Sequence, residues 1–211
     1  MPDTTVKKVT RNIGCRDIYI AEVTEDTESK YTAGTPVKLA RAMSIKITDK
    51  FNTENLYSDD SLEDIAEGYA ETDVEMKINT MSQADYANLY NVLNSNGFLV
   101  KSAEDTAKKI ALGWRSKRLD GTYDFFWLYV GKLTERPELE YATIEDKPSP
   151  KEQTLKGTFS SRQKADTVDG KEKHFYQIQV NECELVSANT DAKTAITDWF
   201  SKVQEYKQTT P

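Results

Sequence analysis

The residues best equipped for chemistry are acids that lie close together in the sequence. Between Phe51 and Met76 there are nine Asp and Glu residues and no Lys or Arg, while the whole 211-residue chain has a net charge of −7. Without this segment the chain would be close to neutral. Carboxylates at this density suit a bound cation, an acid–base pair, a solvated loop or a protein partner. The nine acids are Glu54, Asp59, Asp60, Glu63, Asp64, Glu67, Glu71, Asp73 and Glu75.

Two kinds of chemistry could use these carboxylates. Asp59, Asp60, Glu63 and Asp64 are hard oxygen ligands of the kind that Ca²⁺ prefers, but the ligand order and the turn glycine of an EF-hand are missing. Asp59 and Asp60 could act as a general acid and base, although adjacent positions on a flexible loop hold two groups poorly. We therefore expect no metal site, no cofactor and no catalytic pair here, with a bound cation as the alternative.

Other reactive side chains are few. Cys15 and Cys183 are too few for a disulfide framework. The single histidine, His174, begins a strand pattern and cannot build a Cys/His metal site alone. The sequence shows no activated Ser or Cys for a hydrolytic triad and no closely spaced glycines for a phosphate-binding loop. These patterns predict that the protein is not an enzyme.

Predicted β-strands, recognised by hydrophobic residues at every second position, must position the reactive side chains. Alternation predicts strands in residues 16–24, 42–48, 72–80, 110–133 and 175–185. Asp120-Gly121 and Asp169-Gly170 supply the positive φ that hairpin turns need, the second within a longer connection. The strand in 124–133 is apolar on both faces, so we expect both faces to be covered. Elsewhere one face is polar, and the polar residues include Asp73, Glu75, Gln177 and Gln179, opposite Val74, Met76, Ile78, Tyr176, Ile178 and Val180.

Two segments have helical periodicity. Ser82 and Asp85 resemble a capping box, and Tyr86, Leu89, Tyr90 and Leu93 then recur at helical spacing up to the stop signal Gly97. A second apolar stripe comprises Ala192, Ala195, Ile196, Trp199, Phe200 and Val203. The expected fold is mainly β with flanking α: a single domain, 1–211, with an antiparallel β-sandwich or barrel, one helix packed on it and a short C-terminal helix.

The acidic segment has weak periodicity and is predicted to be a long arm loop over about residues 51–71. Loops longer than about 12–15 residues are usually functional or disordered. A purely solvated loop, the alternative, would not need its apolar side chains. We expect the segment to order against another subunit. The predicted inter-subunit arm comprises Leu56, Tyr57, Asp59, Asp60, Leu62, Ile65 and Tyr69.

Three stretches occur in a characteristic order: NLYSDDSLEDIAEGYAETDVEMKI at 55–78, IALGWRSKRLDGTYDFFWLYVGKL at 110–133 and TLKGTFSSR at 154–162. Together they resemble the major tail proteins of long-tailed, non-contractile bacteriophages of Gram-positive hosts, with similarity from about Ile13 to Phe200. The matching positions include Leu56, Tyr57, Asp59, Asp60, Leu112, Gly113, Trp114, Gly121, Tyr123, Trp127, Leu128, Tyr129, Gly131, Leu155, Gly157, Thr158 and Phe159.

The resemblance implies a tail-tube type of β-sandwich or barrel that assembles into hexameric rings stacked as a tube. Genome DNA would pass transiently through the lumen without specific binding. The implied partners are other copies of the chain, a tape-measure protein and tail-tip and terminator proteins. Residues 1–12 would be an N-terminal extension, and no C-terminal immunoglobulin-like module is expected. Asp73, Glu75, Gln177 and Gln179 become the candidate lumen face.

The expected location is the virion tail, after synthesis in the host cytoplasm. The sequence has no recognisable signal peptide and no apolar run near the ~20 residues that span a bilayer, so no membrane association is expected. An acidic wall suits a conduit, because proteins that hold DNA show clusters of Lys and Arg. The alternative function is a monomeric binding module that uses Trp114, Trp127 and Tyr129 to stack on carbohydrate or another host-surface ligand.

Overall fold

The computed structural model describes residues 10–39, 41–58, 61–138 and 152–206. The protein is mainly β, with 56% strand and 11% helix, which confirms the predicted class. The described strands are β1 (Asn12–Asp26), β2 (Tyr31–Ala33), β3 (Val37–Lys38), β4 (Ala42–Ser58), β5 (Ser61–Ile78), β6 (Leu93–Ser95), β7 (Phe98–Val100), β8 (Ile110–Arg118), β9 (Tyr123–Glu135), β10 (Gln153–Ser160), β11 (Ala165–Val168), β12 (Lys171–His174) and β13 (Gln177–Asn181). The helices are α1 (Gln83–Tyr90) and α2 (Thr190–Thr197).

The main sheet is antiparallel and curls into a half-barrel. Its strand order is β2-β1-β8-β9-β10-β5-β4, with β3 added to β1 and β13 added to β9. Strand β9 is central: it pairs with β8 along one edge, and with β13 and then β10 along the other. Strand β4 is an edge strand of the sheet. Its outer edge pairs with no further strand in the described part of the chain.

Two hydrophobic cores lie on opposite faces of this sheet. Ile18 of β1 and Met76 of β5 come from distant strands yet join one cluster, so their face is the concave one. Helix α1 covers this inner core with Tyr86 and Leu89. The outer core lies on the convex face and includes Trp199, which follows α2.

Strand β9 is buried on both faces, as its apolar sequence predicts. Leu128 belongs to the inner core, whereas Phe125 and Trp127 belong to the outer core. The Trp127 indole N–H donates a hydrogen bond of 3.1 Å to the Trp199 carbonyl, so the polar atom of this buried ring is satisfied. The C-terminal region therefore serves as the second cover that the sequence requires.

Helix α1 begins where predicted but ends early. Ser82 Oγ accepts a hydrogen bond of 3.1 Å from the Asp85 amide, which confirms the N-cap. The helix ends at Tyr90, followed by the left-handed residue Asn91, so the inclusion of Leu93 in the helix was wrong. Asn96-Gly97, with φ of 51° and 82°, instead forms the turn of the β6–β7 hairpin.

Helix α2 confirms the short C-terminal helix but covers only part of the predicted stripe. It ends at Thr197, so Trp199, Phe200 and Val203 follow the helix. These three side chains still pack against the outer core. Within the described residues, no helix combines the length and apolar character required to cross a membrane.

The two predicted Asp-Gly turns are present. Gly121, with φ of 90°, lies in the connection from β8 to β9. Asp169 and Gly170, with φ of 53° and 74°, directly join β11 to β12. This second turn is tight, which corrects the longer connection that the sequence suggested.

The acidic segment differs most from expectation. Residues 51–58 and 61–71 form strands that continue the β4–β5 hairpin, rather than an irregular loop. The pairing runs from Phe51–Tyr69 to Ser58–Ser61. A two-stranded ribbon pairs the inward backbone groups of its strands and leaves the outward ones to water, so it can form without a buried face and without the apolar alternation by which strands are recognised.

Candidate functional site

The most unusual feature of the fold is the distal part of the β4–β5 hairpin, here called the β4–β5 extension (residues 51–58 and 61–71). Strand β5 pairs with β10 only from Thr72 to Ile78. Before Thr72, the hairpin has two strands and no third neighbour among the described residues. At the usual rise per residue, eight further residues carry the hairpin about 25 Å past the body of the sheet.

The described side chains of the extension are largely open to solvent. Residues 51–55 and 64–68 are exposed, with Phe51 at 45% and Ile65 at 52%. Because adjacent residues of a strand point to opposite faces, consecutive exposed positions mean that both faces of the ribbon are uncovered. Isolated two-stranded hairpins are at best marginally stable in water. The extension therefore has more to gain from a protein neighbour than any other part of the sheet.

The root of the extension is fixed by aromatic and polar contacts. The Tyr69 ring stacks on Tyr176 at 4.1 Å, and Phe51 meets Tyr69 edge-on at 5.8 Å. The Tyr69 hydroxyl donates to the Phe159 carbonyl at 3.2 Å and lies 3.0 Å from the Thr72 hydroxyl. Burial raises the pKa of Tyr69, while the hydrogen bond with Thr72 opposes the shift. These contacts fix the direction of the extension at its root, while residues 51–55 and 64–68 remain exposed.

Lys50 marks the boundary of the acidic region. Its ammonium group lies 2.8 Å from carboxylate oxygens of both Asp73 and Glu71. Hydrogen bonds from Lys50 to Asp73 and Glu71 raise the pKa of Lys50. Beyond Lys50 no Lys or Arg occurs until Lys77, so the acids of the extension have no basic neighbour within it. The extension is therefore a charged surface of one sign on a rigid root.

The predicted arm residues do not all occupy the same part of the extension. Leu56 pairs with Asp64, and Tyr57 pairs with Leu62, so these positions lie near the tip. Ile65 lies opposite Asn55 and is exposed. Tyr69 is at the root, where it joins the body of the sheet. Asp59 and Asp60 lie outside the described residues.

Asp73 and Glu75 occupy the convex face of β5, opposite Val74 and Met76 of the inner core. Glu75 lies between Lys46 of β4 and Lys156 of β10. Asp73 lies between threonines of the same two strands. The surface around the two acids is therefore mixed in charge, whereas the sequence suggested a polar to anionic one.

Gln177 and Gln179 do not share that face. They pair with Leu128 and Phe126, both of which belong to the concave side, and Gln177 lines a groove there. The expectation that Asp73, Glu75, Gln177 and Gln179 form one surface is therefore wrong. Period-two alternation identifies the polar side of each strand, but not the side of the sheet to which that polar side belongs.

An open groove remains on the concave side of the half-barrel. It has a volume of about 580 Å³ and lies between the start of β1, at Asn12–Cys15, and β4, at Met43–Ile47. Trp114 and Phe126, stacked at 4.8 Å, line it as well. Burial and then the nearby Asp17 raise the pKa of Cys15, another lining residue, to about 11, which makes its thiol a poor nucleophile at neutral pH. No local sequence motif signals this groove, because strands distant in the sequence create it.

The proposed stacking platform is not available for a ligand. Trp114 is 5% exposed, and Trp127 and Tyr129 are fully buried. They pack in the cores because β8 and β9 are the central strands of the sheet. Stacking on a sugar requires an open ring face, so this version of the binding-module hypothesis is wrong.

The remaining reactive side chains are dispersed. Cys15 and Cys183 are free and half-buried, and His174 is exposed at the end of β12, as expected. In the part of the chain that the structure describes, no three His, Cys, Asp or Glu residues are grouped closely enough to hold a metal ion.

The comparisons with known proteins give no family assignment. A scan against protein-family models matches none of them, and a search of curated proteins also finds no match. We therefore infer the function from the β4–β5 extension and from the resemblance of the three sequence stretches.

Proposed function

We propose that the protein is a structural subunit that polymerises as stacked hexameric rings into a bacteriophage tail tube, the conduit for genome ejection. The observation that carries this proposal is the β4–β5 extension, which projects about 25 Å beyond the sheet and whose side chains at 51–55 and 64–68 are exposed. The ordered resemblance of residues 55–78, 110–133 and 154–162 to major tail proteins supports the same function.

Strand edges give a physical reason for assembly. The outer edge of β4 pairs with no further strand among the described residues, and β5 gains its second neighbour only at Thr72. Unpaired edges present rows of N–H and C=O groups that add strands from another chain. Soluble monomers usually shorten or cover such edges. A long edge is retained here because pairing with a neighbouring subunit is the function.

The two directions of growth have different consequences. A contact between different surfaces of identical subunits closes into a ring if the rotation between them closes, and otherwise extends without limit. We assign ring closure to contacts around the sheet edges and extension, and tube growth to contacts along the axis. The tape-measure, tail-tip and terminator proteins would then set the length and the ends of the tube.

The charge pattern suits a conduit better than a DNA-binding protein. The net charge is −7, and Lys46 and Lys156 flank Glu75 on the convex face of β5. Strong DNA binding requires many uncompensated Lys and Arg contacts to phosphates. A surface on which cations alternate with acids would let DNA slide. Asp73 and Glu75 remain our candidates for the lumen wall.

Purified full-length protein tests this function directly. Sedimentation velocity over a range of concentrations and salt, followed by negative-stain electron microscopy, should reveal rings and tubes. A strict monomer under every condition would contradict the proposal. It would favour a monomeric binding protein, whose ligand would have to bind elsewhere than the buried Trp127 and Tyr129.

A further inference from the structure

The β6–β7 hairpin carries an apolar face that no other described element covers. Leu93 pairs with Val100, and Ser95 pairs with Phe98. The apolar side chains of Leu93, Phe98 and Val100 therefore share one face of the hairpin. Leu93, Phe98 and Val100 are 61%, 71% and 53% exposed. Leu99 points the other way and packs against the inner core. We call Leu93, Phe98 and Val100 the hairpin face.

The open groove is the second uncovered apolar surface. Its rim includes Ile13 and Met43, which are 56% and 53% exposed. Asp49 is the single charged residue among those that line it, and its carboxylate accepts a hydrogen bond of 2.6 Å from Thr72. The interior is lined by aromatic and aliphatic side chains together with small polar groups. Such a concave apolar surface suits the insertion of apolar side chains.

The two surfaces are formed by different elements of the fold. The groove is lined by the start of β1, by Trp114 and Ser116 of β8 and by the start of β4. Helix α1, which leads into the β6–β7 hairpin, packs at the beginning of β8, because the Lys108 amide donates to the Leu89 carbonyl at 2.9 Å. Leu93, Phe98 and Val100 are exposed, so the hairpin face does not occupy the groove of its own chain.

We infer that the hairpin face of one copy inserts into the open groove of the next copy along the tube axis. This inference rests on the proposed function and assigns two specific surfaces to its axial contact. The partner is a second copy because the two surfaces match in shape and charge: one projects, the other is concave, and both are almost uncharged. Residues 91–100 contain no charged residue in a chain that is 30% charged.

The geometry also explains why such a contact would extend a stack. A contact between two different surfaces, the hairpin face and the groove, is heterologous, so it leaves a free hairpin face on one copy and a free groove on the other. Each added ring therefore presents the same surfaces as the ring before it. Burial of the three apolar side chains would provide the driving force, since apolar area removed from water stabilises association.

Two exposed substitutions test the contact. Phe98→Asp places a charge on the hairpin face, and Met43→Asp places one in the groove. Ile13→Asp is a second groove variant if Met43→Asp does not fold. Val186→Asp is the matched control, because Val186 is an apolar residue that is 39% exposed and lies in neither surface. We expect either test substitution to weaken stacking by at least about tenfold, because an unpaired charge would be buried in the contact.

The decisive experiment mixes rings of the two variants. Phe98→Asp rings retain the groove, and Met43→Asp rings retain the hairpin face, so each alone should stop at single rings. Their mixture should give pairs of rings and nothing longer, as seen by sedimentation velocity and negative-stain microscopy. Tubes formed by either variant alone, or a mixture without paired rings, would overturn this inference while leaving the proposed function standing. Loss of stacking in Val186→Asp would also overturn it, whereas wild-type protein that forms no rings would contradict the proposed function itself.

Discussion

Strand β9 and the β4–β5 extension are built on opposite principles. Strand β9 is paired along both edges and buried on both faces, with Trp127 and Leu128 fully inaccessible to solvent. The extension has one partner for each strand, and its described side chains at 51–55 and 64–68 are exposed. The difference separates residues that stabilise the subunit from residues that are free to contact another one.

Strand β5 shows this division within a single element. From Thr72 to Ile78 it pairs with both β4 and β10, and alternate side chains enter the inner core. Before Thr72 the same strand has a single neighbour. We therefore expect substitutions after this boundary to change the stability of the monomer, and substitutions at the exposed positions before it to change assembly.

The largest effect on stability is expected from Trp127→Ala in β9. This change removes a fully buried indole and its hydrogen bond to the Trp199 carbonyl. Large aromatic-to-alanine substitutions in cores cost about 3–5 kcal/mol. Urea denaturation should show this loss. Ile65→Ala in the extension, where the side chain is 52% exposed, is the control and should change stability by less than about 0.5 kcal/mol. Equal effects of the two substitutions would contradict the division between residues that stabilise the subunit and residues that are free to contact another one.

An intermediate effect is expected from Asp17→Asn in β1. Burial disfavours the Asp17 carboxylate, but hydrogen bonds from Lys38 and Arg115 outweigh it, and the pKa of Asp17 is lowered. Asn tolerates the left-handed conformation found here, with φ of 53°, so the test isolates the charge. We expect a loss of about 1–3 kcal/mol at pH 7.

The pH dependence of this effect has a defined sign. Because the folded pKa is lowered, the carboxylate contributes fully above its unfolded pKa, near 3.8, and the contribution disappears as pH falls through the lower folded pKa. The stability difference between wild type and Asp17→Asn should therefore be constant from pH 7 to about 5 and close in stronger acid. A gap that does not narrow at all as pH falls below the unfolded pKa would show that the charge is not the cause.

A smaller, local effect is expected at the root of the extension. Tyr69→Phe keeps the ring that stacks on Tyr176 but removes the hydroxyl that bonds the Phe159 carbonyl. The loss should be about 1 kcal/mol. Hydrogen exchange should become faster at the paired amides of residues 51–55 while exchange in β9 is unchanged. Uniformly faster exchange across both strands would mean that the extension and the body unfold as one unit.

The smallest effect on monomer stability is expected from Lys50→Met. The Lys50 ammonium group bridges Glu71 and Asp73, but all three side chains are solvent-exposed. Exposed ion pairs contribute little to stability. We expect a urea midpoint indistinguishable from wild type, together with assembly that changes its dependence on salt, because the substitution makes the root of the extension more acidic. A clear loss of monomer stability would contradict this expectation and would show that Lys50 stabilises the body of the sheet.

The sequence predicted those features in which local chemistry and burial agree. The Ser82 cap, the Asp120-Gly121 turn and the doubly buried β9 are of this kind. Asn96-Gly97 is an equally strong turn signal, but because the helical spacing of Tyr86 to Leu93 precedes it, Gly97 was interpreted as the end of a helix and the hairpin was missed.

The missed features depend on contacts that a single segment does not encode. The β4–β5 extension lacks alternation because neither of its described faces is buried. Gln177 was assigned to the polar side of its strand, yet only the curl of the sheet places that side in the groove with Trp114. The groove itself is formed by β1, β4, β8 and β9, so it exists only once the sheet is assembled.

The most direct test of the central claim removes the extension alone. Asn52 pairs with Gly68, so residues 53–67 can be replaced by a two-residue Asn-Gly turn that keeps this register. We predict a folded monomer with the wild-type urea midpoint that forms neither rings nor tubes when followed by sedimentation velocity and negative-stain microscopy. Normal tubes from this deletion variant would contradict the assignment of the β4–β5 extension as the assembly element.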